Sequence, residues 1–233
     1  MRPEHLAVIG ALRALDADLL RRCQCWFGGG TAIVLALGEY RLSKDIDFLC
    51  ADVDGYRDIR SRVVSGGTQA LFDQSVRTIR EFRSDQYGIR GIVAVDAIPL
   101  RFGIVREARI DLQGQTNPRL GVPELSPADQ IAEKLLANAD RGRDRASSYR
   151  DAIDLGMIAR HRGPFPDAAW QKTARAYGAE IERQLEWVVT RLSDSQERQF
   201  VSDTLDMPMA QVQDAVDALT NEYRRRVPGD TQP

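Results

Sequence analysis

This sequence predicts an α+β fold, with a mixed-sheet domain over residues 1–120 and a helical C-terminal domain over residues 121–233. Three observations predict it. Helical periodicity opens the chain and gives way to strand texture between residues 76 and 112, where a hairpin signal stands between two alternating runs. Glycine and proline then interrupt the chain at Gly114, Pro118 and Gly121-Val122-Pro123, which places the domain boundary. Beyond Ser126 the pattern is helical. Helices beside strands that are partly joined by hairpins give a mixed sheet rather than a doubly wound parallel one.

In order, residues 3–21 read as one amphipathic helix, because Leu6, Ile9, Leu12, Leu15 and Leu19 recur at three- and four-residue intervals. Residues 23–27 read as a strand. Gly28-Gly29-Gly30 breaks it, and the apolar run 31–37 is a buried helix that Gly38 ends in a left-handed cap. Residues 46–50 are the next strand, and 56–72 a helix weakened by Gly66-Gly67. Residues 77–82 alternate, 89–95 and 98–105 flank an Asp96-Ala97 turn, and 109–112 form a further short strand. Ser126-Pro127-Ala128-Asp129 is a capping-box start for a helix to about residue 139. Residues 149–160 form another helix. One long helix carries Trp170, Ala174, Tyr177, Ile181, Leu185, Val188 and Leu192, and two shorter ones cover 196–205 and 209–226. Residues 227–233 are expected to be disordered.

A formal net charge of -2 excludes a global basic field that recruits nucleic acid, although a local patch can still steer one. Cys23, Cys25 and Cys50 are few, odd in number and not spaced as a zinc knuckle, which fits a reduced cytoplasmic setting. No apolar run approaches the ~20 residues of a membrane span.

The stretch from Phe27 to Cys50 concentrates the chemistry. On a strand, residues i and i+2 share a face, so Asp45 and Asp47 project together while Ile46 and Phe48 point into the other layer. Adjacent carboxylates repel each other, and a divalent cation relieves the repulsion; hard oxygen ligands select Mg²⁺ or Mn²⁺. Gly28–Gly30 allow a ligand close to the backbone, the following helix start offers unpaired N–H groups to phosphate, and Thr31 adds a hydroxyl. A phosphate cradle followed by a metal-binding acid pair is the layout that nucleotidyl transfer requires. Each feature also has a plain reading, as strand-end acids and as a tight turn.

Gly29-Gly30-Thr31 followed by Leu42-Ser43-Lys44-Asp45-Ile46-Asp47-Phe48 resembles the signature of the DNA polymerase beta-like nucleotidyltransferase superfamily, and more narrowly the AbiEii/AbiGii-type toxins. Asp85-Gln86-Tyr87-Gly88-Ile89-Arg90, Glu133-Lys134-Leu135-Leu136-Ala137-Asn138 and Arg150-Asp151-Ala152-Ile153-Asp154-Leu155 are similar to that family too. The resemblance implies a metal-dependent enzyme that moves a nucleotide from a nucleoside triphosphate to an acceptor hydroxyl. It implies the toxin half of a toxin–antitoxin pair, with a separate antitoxin protein as partner and RNA, including transfer RNA, as acceptor. It carries Asp45 and Asp47 over as metal ligands and catalytic residues. Gly29, Gly30, Thr31, Lys44 and Asp154 carry over as nucleotide-binding, and Lys134 and Asp151 as completing the active site.

Read by spacing alone, Lys134, Asn138 and Arg141 share a helix face. The Lys134 stem is expected to be buried with its amine reaching out, either to triphosphate oxygens or simply to solvent. Asp151 and Asp154 share a face of the next helix, where Arg150 and Asp154 can pair. Arg141, Arg143 and Arg145 read as a solvated loop that contacts a nucleic-acid backbone only if it lies beside the cleft. The sequence departs from the superfamily at one point: a third metal-binding acid is expected near Gly103. Asp111 is the best substitute by strand context. Without it, the alternative is a catalytically impaired nucleotide-binding regulator of the same fold.

Overall fold

The structure is a computed structural model, and it describes residues 1–227. The residues beyond Val227, where the sequence predicts disorder, lie outside the described ones. The chain divides into two compact units. The first comprises Met1–Leu35 and Ser43–Asp129, and the second comprises Ala36–Leu42 and the helical part that begins at Gln130.

In the first unit, α1 (Pro3–Arg13) and α2 (Ala17–Arg22) replace the single helix expected over 3–21. The break has a local cause. Asp16 caps α2 by accepting from the Leu19 N–H at 2.9 Å, and Leu15 leaves the helix to bridge Phe72. β1 (Cys25–Gly28), α3 (Gly29–Ala36) and β2 (Asp45–Cys50) follow, and Gly38 takes φ +84° as the expected left-handed stop. α4 (Val53–Gly66) ends where Gly67 turns to φ +58°, so the helix expected to run to 72 closes with one 3-10 turn.

β3 (Arg77–Ser84), β4 (Gly88–Val95) and β5 (Ile98–Arg106) form a meander, with Asp96 and Ala97 both at positive φ in the β4–β5 turn. β6 (Gly114–Thr116) and β7 (Pro123–Leu125) complete a seven-stranded mixed sheet in the order β3-β4-β5-β2-β1-β7-β6. β2 runs parallel to β5 and β1 parallel to β7, and the other pairs are antiparallel. The expected strand at 109–112 is instead a bend and loop, because Glu107 holds Arg109 through its backbone N–H and its guanidinium. β7 belongs to the sheet although it lies past residue 120, since the glycine and proline breaks there are the turns around β6 and β7.

α1 packs on β2, β4 and β5, and α4 on β2 and β3. Phe27, Ile46, Phe48, Leu100 and Phe102 fill that side. Phe48 and Phe102 approach with ring centroids 6.1 Å apart, and Phe82 stacks on Phe102 at 5.2 Å. Alternation then directs the intervening residues of β2, β4 and β5 to the opposite face.

The second unit holds α5 (Pro127–Arg141, from residue 130 onward), α6 (Arg150–Arg162), α7 (Asp167–Tyr177), α8 (Glu180–Arg191), α9 (Ser195–Leu205) and α10 (Met209–Arg226). Ser126 Oγ accepts from the Asp129 N–H, the cap read from sequence. The long helix expected through Trp170 and Leu192 is two helices, broken where Gly178 takes φ +58°. α6 is the centre of the unit and packs on α8 and α10. Among the described residues no helix is long and apolar enough to cross a membrane.

Candidate functional site

Asp45 and Asp47 stand two residues apart on β2, both half-buried, while Ile46 and Phe48 between and after them are buried in the core. The shared face follows from the period of a strand. Their neighbours are fixed by register. Asp47 lies opposite Gly28 of β1 on one flank and Gly103 of β5 on the other, and Asp45 lies opposite Arg101. Gly29 opens α3 at φ +67°, and a Cβ built on it would stand 3.0 Å from Asp47 Oδ2. Only glycine meets both conditions, so the glycine turn and the acid pair form one packed feature.

The approach to the pair is also held. The Thr31 and Ser43 hydroxyls lie 2.7 Å apart in one hydrogen bond, and the Ser43 N–H donates to His5 Nε2 at 3.2 Å. Thr31 is buried and engaged with Ser43, where sequence reading aims its hydroxyl at phosphate. Lys44 is exposed just before β2.

A cleft of about 460 Å³ opens over this face. It is lined by the acid pair, by Gly103, and by four arginines that sequence reading did not assign to the site: Arg80, Arg83, Arg90 and Arg101. The signal for the last two was present, since Arg90 and Arg101 alternate with buried Ile89, Gly91, Leu100 and Phe102. Arg80 and Arg83 were hidden, because the β3–β4 register shifts between them. Asp111, the expected third acid, is exposed and does not line this cleft. Glu107 is buried and paired with Arg109 at 2.6 Å.

The second unit carries a separate polar cluster. Lys134 Nζ lies 2.8 Å from Asp151 Oδ1 and 2.6 Å from Asp154 Oδ2. Arg41 grips Asp154 bidentately, Nε and Nη2 each at 2.8 Å, and the Tyr40 hydroxyl donates to it at 2.6 Å. Arg141 Nε donates to Asp151 at 2.7 Å. The Lys134 amine thus points inward to two carboxylates. It does not reach out as expected, because Asp151 and Asp154 offer it charged partners where solvent would only hydrate it. Asp154 pairs with Arg41 and Lys134, not with Arg150. Burial acts to raise both carboxyls, but the cations overcome it. Lys134 and Arg141 hold Asp151 well below the usual carboxylate range, and Arg41 and Lys134 hold Asp154 below it. Burial pushes the Tyr40 hydroxyl up, with Asp154 adding to it. The 141–145 loop is not free: Arg143 donates to Gln184 and lies over Trp187, while Arg145 lies over Phe200.

Among the described residues no group of three or more His, Cys, Asp or Glu forms a ready metal cage. The donor set that is present nevertheless suits Mg²⁺. That ion binds through one or two carboxylates and takes its remaining ligands from water and substrate phosphates. Two half-buried carboxylates on one strand face, opening to a cleft, meet that requirement.

Comparison with known proteins supplies further findings. A family model described as nucleotidyl transferase AbiEii toxin, type IV toxin–antitoxin system, matches residues 11–228. Two solved structures share the fold. One, from H. pylori, is described as a proposed nucleotidyltransferase (14% identity, 97% of each chain covered, TM-score 0.53). The other is JHP933 from Helicobacter pylori (16% identity, 97% of this chain and 94% of that chain covered, TM-score 0.55). No curated protein matches the sequence.

Proposed function

This chain belongs to the AbiEii family of nucleotidyl transferase toxins and is a nucleotidyltransferase, and from that premise we propose that it moves a nucleotide from a nucleoside triphosphate to a hydroxyl of RNA. The observation that carries the site assignment is the packing of Gly29 against Asp47 on the strand face that also presents Asp45. It joins a phosphate-binding helix start to a pair of hard oxygen ligands.

In this reading the first turn of α3, from Gly29 through Gly30 and Thr31, receives the triphosphate on its backbone N–H groups, aided by the helix dipole. Lys44, exposed beside it, adds a cation for the phosphates. Asp45 and Asp47 would hold Mg²⁺ or Mn²⁺, which when bound polarises the phosphoryl oxygens as a Lewis acid. The acceptor oxygen bonds to the α-phosphorus, the bond from that phosphorus to the β-phosphate bridging oxygen breaks, and pyrophosphate leaves with the electron pair. The hydroxyl proton leaves to water in the open cleft. Catalysis is then mainly positioning and charge stabilisation. Lys134, Asp151 and Asp154 act within the second unit, where Lys134 Nζ is committed to the two carboxylates and these hold Arg41 and Arg141 in place. The toxin description supports a separate antitoxin protein as partner, and a nucleoside triphosphate and RNA as substrates would suit a cytoplasmic setting.

The test is incubation with labelled nucleoside triphosphates and total RNA, with and without Mg²⁺. Cation-dependent label on RNA together with released pyrophosphate supports the reading. Pyrophosphate formed equally without RNA or without the cation overturns it.

A further inference from the structure

We propose that the arginine-bearing outer face of β3, β4 and β5 is the seat of the RNA acceptor, binding its phosphodiester backbone so that a terminal hydroxyl reaches Asp45 and Asp47; this rests on the transfer reading above. Sheet order carries the argument. β2, with the acid pair, is flanked by β1 and the glycine turn on one side and by β5, β4 and β3 on the other. The donor triphosphate takes the glycine flank. The opposite flank carries Arg101 in register with Asp45, Arg90 beside Gly103, and Arg80 and Arg83 on the next strand, all facing the same cleft.

The four arginines are exposed. Asp85, the acid on this flank, is turned to the Tyr87 and Gly88 N–H groups of the β3–β4 hairpin and lies 3.6 Å from Arg90. The Arg80, Arg83 and Arg101 side chains have no hydrogen-bond or ion-pair partner among the described residues. In a chain of net charge -2, this local excess of fixed positive charge is not an average property of the surface. Guanidinium forks match phosphate oxygens. With strands spaced by ~4.8 Å, the patch spans roughly 10 Å from β5 to β3, too wide for one phosphate and suited to several along a chain. Gly103 leaves the path from this patch to Asp47 clear of a side chain. Ile92 and Val105, partly exposed between the arginines, give apolar surface for sugar and base. An acidic protein would satisfy the charge but brings no hydroxyl chain end to the acid pair, so nucleic acid is the occupant the site favours.

Equilibrium binding tests this on the full chain, with bulk transfer RNA and a single-stranded oligouridine as probes across a salt series. The variants are R80Q/R83Q/R101Q and, as a control with the same charge change, R22Q/R57Q/R62Q on exposed positions of the α2–α4 side. Thermal melting checks folding, and calorimetry measures triphosphate affinity. The expected result is at least about a tenfold loss of RNA affinity at low salt in the β-face variant. Its log–log salt slope becomes shallower by roughly two units, at ~0.7–0.9 per phosphate contact removed. Triphosphate affinity and the control variant stay within about twofold of the parent. No RNA binding by the parent, an equal effect in both variants, or loss of triphosphate affinity with RNA affinity intact would overturn it. The readout needs no turnover. A chain that transfers no label yet shows the β-face salt effect loses the transfer reading and keeps the β3–β5 face as an RNA-binding surface, and label transfer without the β-face salt effect keeps the transfer reading and loses this surface.

Discussion

Gly103 lies in register beside Asp47 across the parallel β2–β5 ladder, and a Cβ built on it would stand 3.3 Å from Asp47 Oδ1. The position where a third carboxylate was expected is therefore adjacent to the acid pair, and the sequence leaves it without a side chain. Gly103→Asp adds a third hard ligand there. A unit charge pair ~4 Å apart at an effective dielectric of ~20 is worth ~4 kcal/mol, and about a third of that is a factor of ten. Divalent-cation affinity, followed by Mn²⁺ titration, should tighten at least about tenfold in Gly103→Asp and not in Gly103→Ala. Equal affinity in the two variants would show that residue 103 does not address the cation.

Gly29→Ala meets two obstacles: φ +67° and the contact of its Cβ with Asp47. The left-handed backbone alone costs an L-residue roughly 1–2 kcal/mol. The variant should lose about that much in a urea melt, and it should lose more turnover than the melt explains because Asp47 must move. Turnover equal to the parent's at matched folded fraction would separate the glycine from the acid pair.

Asp154 is fully buried and holds Arg41, Lys134 and Tyr40. Asp154→Asn leaves two buried cations short of charge, a loss of roughly 3–5 kcal/mol when one partner of a buried pair is removed. Denaturant melting of the two variants compares it with Arg150→Gln, which should change little because Arg150 is not an Asp154 partner.

The same cluster sets a pH dependence. The Asp151 and Asp154 carboxyls are lowered in the folded chain by Lys134, Arg41 and Arg141 against the opposing effect of burial. A carboxyl whose folded value lies below its unfolded value binds its proton more readily when unfolded. The stability it contributes is fully present above the unfolded value, about 3.9, and is lost as the pH falls through the folded values. Melting temperature should therefore drop steeply below about pH 4 in the parent. The drop should be shallower in Asp154→Asn, and identical slopes would contradict the assignment.

How far the sequence foretold this depends on the range of the interaction. The acid pair, the Gly38 stop, the Asp96-Ala97 turn and the Ser126 cap are local and were readable. The α1–α2 break was not, since apolar periodicity runs through residues 14–16 and the chain leaves the helix through a bridge to Phe72, far along the sequence. Gly178 was in plain view but outweighed by the spacing of Trp170, Tyr177 and Ile181. The direction of the Lys134 amine was hidden because its partners lie on another helix, and Asp154's partner Arg41 is 113 positions away. The arginine face needed the strand order, which no local pattern supplies.

The most direct measurement of the central claim is transfer of label from nucleoside triphosphates to total RNA in the presence of Mg²⁺, by the parent and by Asp45→Ala/Asp47→Ala. The pair is half-buried at the cleft and not part of the core, so the variant should melt like the parent. Its transfer should fall by at least ~10²–10³, the scale on which removal of a single charge-stabilising group acts, since it loses two. Label transferred equally well by the folded variant would contradict the account.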